Sequence, residues 1–482
     1  MSDIKGLGVG LPLGFTGSSF LYSLLVDAVE KFPDDFSEIS LPTQKEFKKI
    51  YDETLVHFEA ARTSSINRTA IAQHIVNSMQ NQLRFTGEGY SGSFMEYLKE
   101  KKAPGKIDVY KGSGGGYTPE VPFRGRTYKG KEIGILCEML MDELKITKSA
   151  SDALQWAANG ESDGRIDLSG HRFVILGAGA EVAPTRLLLE AGATVLWIDI
   201  QSPDLSFMDP KTLKGELHVA QDANDILNKP REIRSAIEAF ADGSPVHLGL
   251  FAYAPGASQE WRLATAMNGI VKSIDPTIVG SVAMLISPTS TAVIQPEDIE
   301  GSEKVGSNPP AWQAALKRMG QLRQEVGFKV GDGFPVARAI VPIQGVSYQA
   351  AQYVSKILAA EVFSSYGTNI DSGTAHPVTV SANVAGITKT KSLNHPVFQA
   401  AFLGAGSFGV EIFEVETTRA LSGLLILHDL LNPKHRGVEP KALFSKQLHG
   451  GIYSRPYALN PMIRIATVMG LARKPKLLFQ MF

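Results

Sequence analysis

A chain of 482 residues is long for one domain, so two are expected, and a composition of 44% hydrophobic and 20% charged residues is that of an ordinary globular protein. The 48 basic and 49 acidic side chains nearly cancel, which leaves no field for a polyanion and argues against a nucleic-acid partner. The single cysteine, Cys137, excludes an intrachain disulfide framework and a thiolate metal cluster; in the apolar setting GILCEML it reads as a buried structural thiol.

Residues 6–26 carry no charge before Asp27, yet Gly6, Gly8, Gly10, Pro12, Gly14 and Gly17 break the run. A buried loop and helix is the expectation there, with no integral membrane segment and a cytoplasmic location. Segments 43–62, 66–83 and 131–158 space their apolar residues as helices do, and 103–130 holds Gly112, Gly114, Gly115, Gly116, Pro119 and Pro122. A mainly helical N-terminal domain is therefore expected over 1–165, interrupted by a glycine-rich linker or lid. SGGGY lacks both a leading strand and a following lysine-threonine pair, so it does not read as a phosphate loop.

From Arg172 the texture changes to alternating strands and helices. HRFVILGAGAEVAPTRLLLEAGATVLWID (171–199) reads as strand, glycine turn, helix from Val182 to Ala191, and a second strand closing on Asp199. Glycine at Gly177 and Gly179 permits close approach of a pyrophosphate to the amides of Gly177–Val182, with Ala180 and Glu181 between them, and to the positive end of the helix dipole. Val182 stands where a third glycine would. Asp199 follows the turn by about 20 residues, where a carboxylate can hold both hydroxyls of an adenosine ribose. The cofactor expected is NAD, because the same carboxylate repels the 2′-phosphate of NADP.

Beyond it come LHVAQDANDIL (217–227), a strand ending in Gln221 and Asp222; a helix near 231–241; the strand HLGLFAYAPG (247–256); the helix 260–274; and the strand 279–294. Residues 295–340, rich in Gly, Pro and charge, look inserted, with one helix near 311–325. A helix over 347–363 and a strand over 377–388 restore the order. The fold class expected is α/β, a doubly wound, mostly parallel Rossmann-like sheet over 166–440, with residues 441–482 as an amphipathic docking segment.

In this order the chain resembles, distantly, the short-chain dehydrogenase/reductase superfamily over roughly 170–430. LGAGAEVA is similar to that family's glycine turn, VAQDAND to its third-strand aspartate, FAYAPG to its Asn-Asn-Ala-Gly wall and ANVAGIT to its Pro-Gly stretch. The resemblance implies cofactor contacts from Asp222, Ala254, Gly256 and Asn268, and a catalytic serine at Ser287. It also implies a Tyr-x-x-x-Lys pair, and here the chain departs: Lys356 has Gln352 four residues before it, Tyr353 three before and Tyr348 eight before.

Carbonyl reduction needs a proton donor beside the substrate oxygen, and a tyrosine with pKa near ~10 serves when an ammonium lies close. At i and i+3 on a helix, Tyr353 and Lys356 share a face, which makes Tyr353 the first candidate and Tyr348 the second. The expected reaction is hydride transfer between NAD(H) and a carbonyl, alcohol or activated double bond of an apolar or acyl small molecule. Ala254–Gly256, Ser287 and Ala385–Thr388 would wall the pocket, covered by the N-terminal region and the 295–340 insertion. Two other classes stay open: an S-adenosylmethionine-dependent methyltransferase, and a non-catalytic nucleotide-binding scaffold. A homo-oligomer also stays open. Histidines without metal spacing argue against a metal centre, and the lack of a Gly-x-Ser-x-Gly elbow between a strand and a helix argues against an α/β-hydrolase.

Overall fold

The computed structural model describes residues 7–159, 164–204, 213–256, 258–365, 378–435 and 439–480. At its centre lies a sheet of seven strands: β1 Ile107–Tyr110, β2 Arg172–Leu176, β3 Thr194–Ile198, β4 Glu216–Ala220, β5 Val246–Leu250, β6 Val279–Ile286 and β7 Thr379–Val384. Their spatial order is β7-β6-β5-β2-β3-β4-β1. All pairings are parallel except that of β1 with β4.

The parallel strands are short apolar runs with both faces covered, as such sheets require. Alternation along each strand then divides the side chains between two cores. Val174, Leu176, Leu196 and Ile198 enter one; Phe173, Ile175, Val195 and Trp197 enter the other. The protein is a three-layer α/β/α assembly around them.

The N-terminal region divides between the same two layers. Helices Gly17–Lys31, Gln44–Ser64 and Arg68–Gln82 place Phe20, Leu24, Phe58 and Ile75 in the first core, while Ile133, Leu136 and Leu154 of helices Glu132–Asp142 and Lys148–Asn159 lie in the second. The glycine-rich stretch yields β1 and a hairpin, Glu120–Phe123 with Arg126–Lys129. The domain break expected near 165 is thus not a break in the packing. Thr43 starts its helix with a capping box: its hydroxyl accepts from the Glu46 N–H, and Glu46 reaches back to the Thr43 N–H.

Three expectations need correction. The helix after the glycine turn is only Thr185–Glu190, because Pro184 precedes it and residues 177–184 form irregular turns. Residues 295–340 carry two helices, Pro296–Ser307 and Ala311–Arg318, fastened to helix Gln44–Ser64 by Arg323 and Arg338 on Glu53. The helix expected over 347–363 changes character inside: α over Val346–Gln352, π over Tyr353–Leu358, and α again over Ala359–Ser365. Pro377 and Gly6 lie outside the described residues.

Helix Leu459–Arg473 of the C-terminal segment crosses helix Pro396–Ala405 at backbone contact. A Cβ on Gly404 would lie 1.9 Å from the Ala466 carbonyl oxygen, and one on Gly470 would lie 1.8 Å from that of Ala400, so glycine alone permits the crossing. Among the described residues no helix is long and apolar enough to cross a membrane.

Candidate functional site

From β2 the sheet grows outward in both directions, through β3 and β4 on one side and β5, β6 and β7 on the other. Loops leaving the carboxyl ends of β2 and β5 therefore part in opposite directions, and a crevice opens between them. A cleft of about 1210 Å³ lies there. One wall is the turn after β2, from Gly179 to Val182; the floor is Leu250 and Phe251 at the end of β5; the far wall is Leu285–Thr289 after β6 and Ala385–Thr388 after β7. Thr16, Gly17, Ser18 and Lys48 of the N-terminal region also line it, together with Ile343–Tyr348, whereas the 295–340 insertion does not.

Gly177 sits at φ +86°, and a Cβ there would lie 2.2 Å from the Ala252 backbone nitrogen, so glycine is what lets the β2 and β5 turns touch. Asp199, at the end of β3, points back into the turn. Its Oδ2 accepts from the Gly179 N–H at 3.0 Å and its Oδ1 from the Gln201 N–H at 2.8 Å. The Glu181 carboxylate accepts from the Lys391 N–H at 3.0 Å, and its carbonyl oxygen accepts from Arg419 Nε at 2.7 Å, tying the turn to elements after β7.

Opposite the glycine turn, Ser287 ends β6 in a turn braced by three glutamines. Its N–H donates to Gln352 Oε1 (3.0 Å), Gln349 Nε2 donates to the Thr289 carbonyl (2.9 Å), and Thr289 Oγ1 donates to Gln344 Oε1 (3.0 Å). The Thr289 proton is thereby committed, so in its 2.9 Å contact with Ser287 the serine hydroxyl is the donor. The Tyr348 phenol faces both hydroxyls. Burial pushes its pKa upward, with the nearby Glu260 charge adding to the rise and the Ser287 bond opposing it, so at neutral pH the phenol holds its proton.

Lys356 and Glu260 complete the polar wall. Nζ lies 3.9 Å from Glu260 Oε1, at the first turn of helix Gln259–Ser273. Both Glu260 oxygens are buried, and the groups that favour the charged form are Lys356 and the Ala254 backbone N–H. Burial pushes this carboxyl up to about 7 against the pull of Lys356, and burial pushes the Lys356 ammonium down against the pull of Glu260. Glu260 is absent from the residues expected on sequence grounds, because an acid in a first helical turn is normally accounted for by the helix dipole. Thr289 and Gln344 were equally silent, since serine, threonine and glutamine carry no spacing rule.

Of the expected site residues, Gly179, Ala180, Glu181, Val182, Gly256, Ser287 and Lys356 line this cleft. Others stand elsewhere. Tyr353 is fully buried on the opposite side of its helix, where its hydroxyl donates to Glu59 Oε2 at 2.8 Å beside Arg62. Asn268 is buried between helices, its Nδ2 donating to the Ser355 carbonyl at 2.8 Å. Asp222 is exposed and accepts from the Lys106 N–H at 3.1 Å, at the junction with β1. Ala254 belongs to the loop above β5 but is not among the lining residues, its amide facing Glu260.

Among the described residues one other cluster has metal-ligating residue types: His428, Asp429 and His435, below β7. Lys446 Nζ lies 3.1 Å from Asp429 Oδ1, and Ser381 and Asn383 both donate to Oδ2. The lysine supplies the positive charge that Asp429 needs, and the cluster reads as a buried ion pair. No known protein-family model matches the chain, and no curated protein is significantly similar to it in sequence.

Proposed function

We propose that this protein is a Rossmann-like, NAD(H)-dependent oxidoreductase of short-chain dehydrogenase/reductase character, acting on a carbonyl or alcohol. The observation that carries the reading is the shared cleft: the glycine turn, with Asp199 bonded to its Gly179 N–H, stands on one side, and Ser287, Tyr348 and Lys356 on the other, at the point where the strand order reverses. The strand order β4-β3-β2-β5-β6-β7 is that of a doubly wound dinucleotide-binding sheet, with β1 added at its edge.

The residues present suit the cofactor. A Cβ on Gly179 would meet the Trp197 ring at 3.2 Å and Asp199 Oδ2 at 3.3 Å, so its absence keeps the turn open, and space above Gly256 is free. Asp199 Oδ1 and Oδ2 each accept one backbone N–H and retain capacity for ribose hydroxyls. Lys48 and Lys391 bring positive charge to the cleft for the pyrophosphate. NAD(H), when bound, supplies or takes the hydride.

The chain's own residues then handle the oxygen and its proton. On binding, the Ser287 hydroxyl turns from Thr289 to the substrate oxygen, while Thr289 stays held by Gln344; the Tyr348 phenol, protonated at neutral pH, donates to that oxygen as it gains charge, since an alkoxide is a stronger base than a phenolate. Lys356 places positive charge on the same wall, and Glu260 sets how much of it persists. Gln352 is a positioning residue that fixes Ser287 through its backbone. Calorimetric titration with NAD, NADP and S-adenosylmethionine, followed by nicotinamide absorbance with a panel of aldehydes, ketones and alcohols, tests the reading. Binding of NAD with turnover supports it; binding of S-adenosylmethionine alone, or of none, overturns it.

A further inference from the structure

Beside the cleft lies a second, narrower cavity of about 60 Å³ between helices Pro396–Ala405 and Leu459–Arg473. The two cavities share Thr289, Gln344, Ile387, Leu393 and Phe398, so they adjoin next to the Ser287 turn. Thr289 and Gln344 are the only polar side chains among its lining residues; they belong to this shared boundary and are bonded to each other. Beyond them the walls are entirely apolar, including Phe402, Phe408, Met462 and Ile463.

The slot exists because of small residues. Gly404 and Gly470 bring the two helices to backbone contact, which holds them rigidly, while Ala401, Ala405 and Ala466 leave room where larger side chains would meet. Water deep in such a slot would find no hydrogen-bond partner, and a charged or hydroxylated group would lose its own. At about 60 Å³ it is too small for a fused ring system.

We propose that this slot takes the unbranched hydrocarbon tail of the substrate, with the reactive oxygen left at Ser287 and Tyr348. The substrate class is then a medium-length straight-chain alcohol or aldehyde. This rests on the reading above for the reaction, but not for the binding of the tail.

The test is calorimetric titration of the wild-type protein, without nucleotide, with straight-chain primary alcohols from butanol to decanol, and in parallel their oxidation with NAD. Affinity is expected to rise about fourfold per methylene, up to the length that fills the slot, and then to level off. Ala405→Phe should move the levelling point to shorter chains and Ile463→Ala to longer ones. Length-dependent binding with these shifts but without turnover upholds the slot and overturns the oxidoreductase reading. Affinity that is flat with chain length overturns the slot whether or not turnover is seen, and needs no variant to fold. A levelling point that neither substitution moves overturns it as well.

Discussion

Tyr348 and Lys356 line the same cleft although eight residues separate them on one helix. In a regular α-helix an eight-residue offset drifts off the shared face, whereas i and i+3 residues are neighbours. The π turn over Tyr353–Leu358 reduces the rotation per residue, which carries Lys356 back beneath Tyr348 and Gln352 and turns Tyr353 away into the Glu59–Arg62 network.

Tyr348→Phe should therefore lower turnover on the order of 10²–10⁴ while leaving nucleotide affinity unchanged. Tyr353→Phe should leave turnover near wild type and cost about 1–3 kcal/mol in urea unfolding, because Glu59 loses a buried donor. Steady-state kinetics and denaturation of both variants check this; the reverse pattern would return the role to Tyr353.

The same π turn shows where sequence legibility ends. Apolar runs such as FVIL and VLWI were readable as buried parallel strands, and Gly177 as a tight turn, because those patterns follow from period and sterics alone. The α-to-π change left no residue signature, so the face shared by Tyr353 and Lys356 was inferred from a rotation the helix does not keep. How the N-terminal helices pack was hidden for a related reason. Helical spacing reveals that a face is apolar but not which core it joins, and helices on both sides of residue 100 joined opposite faces of one sheet. Glu260 was invisible because its burial depends on a helix end entering a cleft.

Gly177→Ala should destabilise the protein by about 2–5 kcal/mol, since the new methyl collides with the Ala252 backbone and the residue keeps φ +86°. Thermal or urea unfolding measures it. A loss below about 0.5 kcal/mol would mean that the β2 and β5 turns are not in contact.

Asp199→Asn separates the two duties of that side chain. Asparagine retains an acceptor for the Gly179 N–H but drops the charge. NAD affinity should fall and the NADP-to-NAD affinity ratio should rise by about tenfold to a hundredfold, as a charge-assisted bond is lost and a repulsion removed. Calorimetry with both nucleotides decides. Equal weakening of the two would assign Asp199 to the turn alone.

Glu260 makes stability depend on pH in a window of its own. Its carboxyl, near 4.5 in the unfolded chain, is raised to about 7 in the folded protein. Between these values the native state holds a proton that the unfolded state has released, so stability falls as pH rises. The contribution is fully present below pH 4.5 and lost as pH rises through about 7, amounting to about 3 kcal/mol at most. Glu260→Gln abolishes this component and leaves Lys356 without its counter-charge, which lowers the ammonium pKa further and acts in the same direction. The variant should therefore gain on the wild type between pH 5 and pH 8, whatever its absolute stability, because other titrating groups cancel in the difference. Urea unfolding of both proteins at the two pH values measures it. A difference that is the same at pH 5 and pH 8 would show that Glu260 is ionised throughout, and that the Lys356 ammonium faces a full negative charge across the working range.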